Sequence, residues 1–181
     1  MPPIEIIRPH ELTRATVAAI VELVNVVWPP EDGAEPADLD TKLAQWGAWQ
    51  STHFIMRAGG IVLAHALIFR REISTSQGPL AVGALATVCV HPAHRGRGWG
   101  VAVVGAAFDY LPELGAEVSL FQTGVPQFYE KLGGRIITNP IFDGTRADGS
   151  RENPFWDTCV MIYPAAFAWP DGAIDLNGSG Y

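Results

Sequence analysis

The stretch Val88–Val101, Val-Cys-Val-His-Pro-Ala-His-Arg-Gly-Arg-Gly-Trp-Gly-Val, constrains the fold more than any other part of this chain. A β-branched run ends at His91-Pro92, a turn rich in arginine and glycine follows, and an apolar helical pattern then begins. Strand, turn and helix are expected in that order. Gly96, Gly98 and Gly100 alternate with Arg97 and Trp99, so backbone N–H groups can converge without Cβ atoms blocking a ligand. A helix starting there offers unpaired N–H groups and the positive end of its dipole, which suits an anion such as pyrophosphate. Arg95 and Arg97 add formal charge at the same place. The spacing is neither G-x-x-x-x-G-K-[ST] nor G-x-G-x-x-G, so the NTPase and dinucleotide fingerprints both fail. Taken alone, the stretch also fits a basic, glycine-rich turn that binds nothing.

A chain of 181 residues fits one domain, 1–181, with room for a substantial core. Hydrophobic residues at 48% and charged residues at 17% exclude a disordered chain. The net charge of -7 excludes a general nucleic-acid surface. An acidic protein with one local basic loop suits an anionic cofactor and a cationic substrate instead. The two cysteines, Cys89 and Cys159, lie in strand-like apolar runs and read as buried free thiols in a reducing compartment. The N-terminus lacks the basic and apolar regions of a signal peptide. Glu22 and His65 interrupt the best candidate membrane runs, so the chain reads as soluble and cytoplasmic, with no membrane partner and no metal site.

Along the chain, Ile4–Arg8 reads as a strand and Thr13–Val26 as a helix with Val17, Ile20, Val21 and Val24 on one face. Trp28-Pro29-Pro30 ends that helix, an acidic loop follows, and Asp38 is placed to cap a second helix running toward Trp49. His53–Arg57 and Ile61–Ile73 flank Gly59-Gly60 as a β-hairpin, and Leu80–Val90 is the next strand. Trp99–Leu111 is a helix, Val118–Gln122 a strand, and Pro126–Leu132 a short helix closed by Gly133-Gly134. Arg135–Thr138 and Asp157–Tyr163 are the last strands, joined by a long polar loop.

The turn resembles the acetyl-CoA pyrophosphate loop of the general N-acetyltransferase (GNAT) superfamily, [QR]-x-x-G-x-[GA], with Arg95, Gly98 and Gly100 at the defined positions. The element order β-α-α-β-β-β-α-β-α-β-β is similar to that superfamily from end to end. The resemblance implies an α/β (α+β) GNAT fold, a mixed, mostly antiparallel sheet flanked by helices and splayed between its fourth and fifth strands. It implies acetyl-CoA as cofactor, held by Val88, Cys89, Val90, Arg95, Gly96, Arg97, Gly98, Trp99, Gly100 and Val101. Val88 and Val90 would offer backbone groups to the amide-rich pantetheine arm.

Gln127-Phe128-Tyr129-Glu130-Lys131-Leu132-Gly133-Gly134 resembles the superfamily's F-Y-x-K-x-G-F segment, which makes Tyr129 the expected general acid for the departing thiolate. A phenol with a pKa of about 10 stays protonated at neutral pH yet can serve a developing thiolate. Packing of the helix against the sheet is the plainer role for such a tyrosine. Gly134 stands where the motif carries phenylalanine. The base stays open among His53, His65, Glu72, His91 and a water; His65 reads as a core histidine and His91 as structural.

From His53 onward the chain resembles the aminoglycoside 2′-N-acetyltransferases, through His53-Phe54-Ile55, Gly60–Ile68, Arg70–Ile73, Gly78, Leu80 and Val82-Gly83. That likeness implies substrate contacts at Asp157 and at the aromatic Tyr181, whose ring and carboxylate would face the antibiotic. Thr87, Phe142 and the acidic-loop residues Glu31 and Asp32 complete the expected substrate set. The subfamily's glutamate before Thr87 is replaced here by Ala86, and fewer matched carboxylates point toward a compact aminoglycoside of the kasugamycin kind. The expected partner is thus a small-molecule amine, with a homodimer left open. Two alternatives stand beside it: acetylation of a peptide N-terminus, polyamine or metabolite amine, and a sensor that binds acetyl-CoA without turnover.

Overall fold

A hydrophobic run buried on both faces belongs in the middle of a sheet, and Val62–Phe69 is such a run, buried at every position. The computed structural model describes residues 1–31 and 33–181. In chain order the elements are β1 (Ile4–Ile7), α1 (Arg14–Val27), α2 (Leu39–Trp49), β2 (Thr52–Ala58), β3 (Ile61–Thr75), β4 (Gly78–Val90) and α3 (Trp99–Asp109). They continue with β5 (Ser119–Thr123), α4 (Pro126–Glu130), β6 (Arg135–Ile137), β7 (Ile141–Phe142), β8 (Cys159–Tyr163) and β9 (Ile174–Asp175). The sheet runs β1-β2-β3-β4-β5-β8-β6. It is mostly antiparallel, and β4 and β5 form a parallel pair within it. That pairing joins Gly83 with Ser119 and Ala84 with Leu120, and β4 runs on to Val90.

The chain divides into two compact units, Met1–Phe69 with Thr87–Asp109, and Arg70–Ala86 with Tyr110–Tyr181. In the first, β1 and β2 pair from Ile4 with Met56 to Ile7 with His53, and β2 pairs with β3 through Phe54 and Ala66. Val17 and Ile20 of α1, Trp46 of α2, Val103 and Val104 of α3 and Phe54, Ile55 and Met56 of β2 form its core. Thr13 caps α1 by accepting from the Thr16 N–H at 3.1 Å, and Asp38 caps α2 by accepting from the Thr41 N–H at 2.7 Å. Each cap satisfies one of the helix's orphan donors, a contribution of about 1 kcal/mol. The cap expected at Asp38 is therefore present. Asn25 ties α1 to the loop before α2 by bonding both main-chain groups of Ala37.

In the second unit β5 pairs with β8 over its whole length, and β6 lies on the other side of β8. Phe121, Leu120, Met161 and Ile162 form its core. Two short strands lie where only a polar loop and a tail were expected: β7 and β9 pair in parallel, and β9 also pairs with Ser74 of β3. They are too short to carry a hydrophobic period, so the sequence offers no signal for them. The expected helix to Leu132 ends at Glu130, and the one to Leu111 ends at Asp109, where a 3-10 turn through Pro112 takes over. From Val62 to Phe69 the strand β3 is covered on both sides, which buries His65.

Candidate active site

The arginine-glycine turn joins β4 to α3. His91 closes β4 by accepting from the Ala93 N–H through Nδ1, a structural role as expected. Gly96 and Gly98 have φ of +76° and +79°, values that an L side chain rarely adopts. Nothing lies within 4 Å of a Cβ added at either, so the space over the turn is open. Among the described residues, the N–H groups of Gly96 through Val101 make no hydrogen bond, and Gly98 carries no side chain to cap α3. Arg95 and Arg97 are exposed beside them. Six unfilled donors, an open approach and two guanidinium groups fit a pyrophosphate. Trp99 is buried and stacks on His94 at 5.0 Å, fixing the first turn of the helix.

Along β4, Val88 and Val90 are half-buried, while Cys89 points into the core. Burial pushes the Cys89 thiol up to about 12, so it is neither nucleophile nor acid near neutrality. Arg95 donates to the Val90 carbonyl through Nε at 3.4 Å. Thr87, expected to touch substrate, has φ +50°, a non-glycine residue held in the left-handed region within a strand. The carbonyl of Thr87 accepts from His65 Nδ1 at 2.8 Å. His65 is fully buried and bonded at both ring nitrogens, which is the core histidine expected. His53 is equally buried, and burial lowers its imidazole to about 2 and that of His65 to about 4. Neither ring is placed to take a proton from an amine at neutral pH.

In the second unit Tyr129 sits on α4 between Phe121, 4.6 Å away, and Phe128, 4.8 Å away. Both the packing role and the acid role are therefore open to it. Its hydroxyl makes no hydrogen bond among the described residues and stays free to donate. Burial first, and then the negative charge of Asp157, hold the phenol well above its ordinary pKa. Gly134 explains the departure from the F-Y-x-K-x-G-F pattern. A Cβ there would lie 3.1 Å from the Tyr129 carbonyl and 3.2 Å from that of Ile162.

Asp157 is exposed, and its main-chain N–H donates to Gln122 Oε1 at 2.8 Å, as does that of Trp156. The same side chain donates through Nε2 to the main-chain oxygen of Tyr181 at 2.6 Å. Gln122 of β5 thus ties together the loop carrying Asp157 and the last residue of the tail, a role invisible in the sequence. Tyr181 is only 6% exposed. Its hydroxyl donates to the Leu120 carbonyl at 3.0 Å, its ring meets Phe155 edge-on, and Arg71 lies 4.9 Å above it. The expectation that this ring faces the antibiotic is corrected: the ring is core. Ile174 and Leu176 are buried with it, Phe167 and Trp169 are half-buried, and the tail does not fray. Asp175 is consumed by the N–H groups of Gly144 and Asn177.

The face of Phe142 is covered by the Arg151 guanidinium at 3.7 Å. Glu31 is exposed, its carbonyl accepting from Ala34 in a turn, and Asp32 lies outside the described residues. Glu72 is exposed beside Arg70. Among the described residues no group of three or more His, Cys, Asp or Glu side chains is placed to hold a metal ion.

Residues 17–134 match the acetyltransferase (GNAT) family. This chain belongs to that family, and so to the enzymes that move an acetyl group from acetyl-CoA to an amine. Among curated proteins none matches it in sequence. Solved structures agree on the fold. The GNAT family N-acetyltransferase YhbS of Escherichia coli, in complex with CoA, is 14% identical with a TM-score of 0.67, covering 97% of this chain and 89% of that one. Escherichia coli ElaA is 17% identical with a TM-score of 0.63 over 90% of this chain and 99% of its own. An acyl-CoA N-acyltransferase from Pseudomonas aeruginosa is 15% identical at 0.61, over 88% and 97%. The match is to acetyltransferases at large and does not single out the aminoglycoside enzymes. No helix among the described residues is long and apolar enough to cross a membrane.

Proposed function

We propose that this acetyltransferase acetylates a primary amine on a small polycationic substrate of the aminoglycoside type, and that residues 1–181 act as one catalytic domain in doing so. Acetyl-CoA supplies the acetyl group as an activated thioester. The open turn at Arg95–Val101 binds its pyrophosphate through backbone N–H groups, with Arg95 and Arg97 adding charge. The end of β4 leading into the turn takes the pantetheine arm through the main chain of Val88 and Val90. Attack by the neutral amine breaks the C–S bond, and the Tyr129 hydroxyl donates to the sulfur as negative charge develops there. A thiol titrates near about 8.5 and this phenol far higher, so a full transfer to free thiolate would be uphill. Tyr129 therefore contributes most as a charge-assisted donor while the bond is breaking. The ammonium proton leaves to water, since His53 and His65 are sealed in the core.

The observation that carries the substrate class is the exposed Asp157 carboxylate acting electrostatically on Tyr129. An anion held that close to the acid suits a second ammonium on the substrate, with the exposed face of Trp156 beside it in sequence for a sugar ring. Removing one positive charge from such an antibiotic weakens its hold on RNA phosphates, which would confer resistance. The test compares kcat/KM for kasugamycin, a polyaminated aminoglycoside, spermidine and a peptide N-terminus, in the wild type and in Asp157→Asn. Preference for an aminoglycoside, with a KM raised about tenfold by Asp157→Asn, is expected for one lost charged hydrogen bond. Preference for the peptide or for spermidine overturns the substrate class while leaving the chemistry intact.

A further inference from the structure

Thr87 is the non-glycine residue of β4 held at positive φ, and a side chain from the neighbouring strand is bonded to its carbonyl. Hydrogen-bonding groups run in series through the core of the first unit. Ser51 Oγ lies 3.0 Å from the Trp46 carbonyl and 2.9 Å from His53 Nε2. His53 Nδ1 lies 3.0 Å from His65 Nε2, and His65 Nδ1 lies 2.8 Å from the Thr87 carbonyl. Trp46 packs against both imidazoles, at 4.9 and 5.9 Å. A carbonyl only accepts, so His65 must carry its proton on Nδ1. As a neutral ring it then accepts at Nε2, and His53 is protonated at Nδ1 to donate to it. The Ser51 hydroxyl has one proton for two acceptors, the Trp46 carbonyl and His53 Nε2, and serves one of them at a time. The direction of the two bonds from His53 to Thr87 is fixed from the Thr87 end. Both ends are carbonyls, which cannot pass a proton on, so this is a brace and not a relay.

The peptide between Thr87 and Val88 is trans, so its N–H points away from its C=O. Drawing the carbonyl toward His65 presents the Val88 N–H on the opposite side. Resting on the cofactor reading above, we infer that His65 is a positioning residue: it holds the Thr87–Val88 peptide so that the Val88 N–H meets the acetyl end of the cofactor, with His53 donating to its other ring nitrogen. A left-handed threonine is strained, and the buried hydrogen bond from His65 offsets that strain. Without His65 the peptide is free to turn.

The experiment uses acetyl-CoA and CoA, which differ only by the acetyl group. Calorimetry on the full chain gives the dissociation constant of each for the wild type, His65→Leu and His65→Asn, the last placing an amide donor where Nδ1 sits. His65→Leu should weaken acetyl-CoA about tenfold and leave CoA within about twofold, and His65→Asn should restore most of the loss. Equal weakening of both ligands, or no change in either, overturns the inference and leaves the cofactor site standing. A wild-type chain that binds neither ligand overturns the cofactor reading and the inference together. Should His65→Leu fail to fold, imidazole nitrogen NMR of the wild type decides: a proton on His65 Nδ1 is required, and one on Nε2 alone contradicts the brace.

Discussion

Tyr129, the proposed donor to sulfur, and Gln122, which bonds the Asp157 loop, differ in what they need from the fold. Tyr129 needs only a free hydroxyl and a dry wall, which Phe121 and Phe128 provide. Tyr129→Phe keeps that wall and removes the donor, so kcat should fall about a hundredfold while the acetyl-CoA dissociation constant stays unchanged. Rapid-quench kinetics at saturating substrates check this, and wild-type turnover in the mutant would make Tyr129 a packing residue. Burial keeps the phenol protonated past its ordinary value of about 10, so no loss of rate from its ionisation is expected below that pH. Gln122 bonds the main chain of Trp156, Asp157 and Tyr181. Its three hydrogen bonds set where the Asp157 loop lies. Gln122→Leu should raise the amine KM severalfold, leave acetyl-CoA binding within about twofold, and lower the melting temperature by several degrees. Steady-state kinetics beside calorimetry separate these effects, and an unchanged KM would mean that the loop holds its place without the clamp.

The strand-turn-helix element from β4 to α3 was the most legible part of the molecule. Its glycines, arginines and flanking periods are all local, and the structure gives each the conformation that its type predicts. The hairpin at Gly59-Gly60 and the capped helix after Asp38 were readable for the same reason. What stayed hidden depends on contacts distant in sequence. The left-handed Thr87 is bonded to His65 of the neighbouring strand, and the contacts of Gln122 require a tail that returns to Leu120 and Gln122. No window of neighbouring residues encodes such pairs. Gly98→Val tests the legible element. The open space over Gly98 means that no protein atom would clash, so the cost arises from the positive φ and from the ligand meeting the new side chain. Acetyl-CoA binding should weaken more than tenfold by calorimetry with little change in the far-ultraviolet circular dichroism. Unchanged affinity would move the pyrophosphate elsewhere.

At the scale of the whole molecule, the buried imidazoles make stability depend on pH. Both are held neutral in the fold, His53 down to about 2 and His65 to about 4, while an unfolded histidine protonates near about 6.5. Below that value the unfolded state binds more protons, so stability falls as the pH falls. The slope should approach about 1.4 kcal/mol per pH unit for each histidine between pH 6 and pH 4, easing once His65 begins to protonate in the fold. Urea melts across that range check the slope, and a flat profile would mean that the rings take up protons without unfolding. The central claim is acetyl transfer itself. Its most direct measurement is CoA thiol release from acetyl-CoA by the full chain in the presence of kasugamycin and the other amines, with the product weighed by mass spectrometry. Amine-dependent thiol release, matched by one acetyl group on the amine, is the expected result. Acetyl-CoA that binds but releases no thiol with any amine would contradict the account and make the chain a sensor.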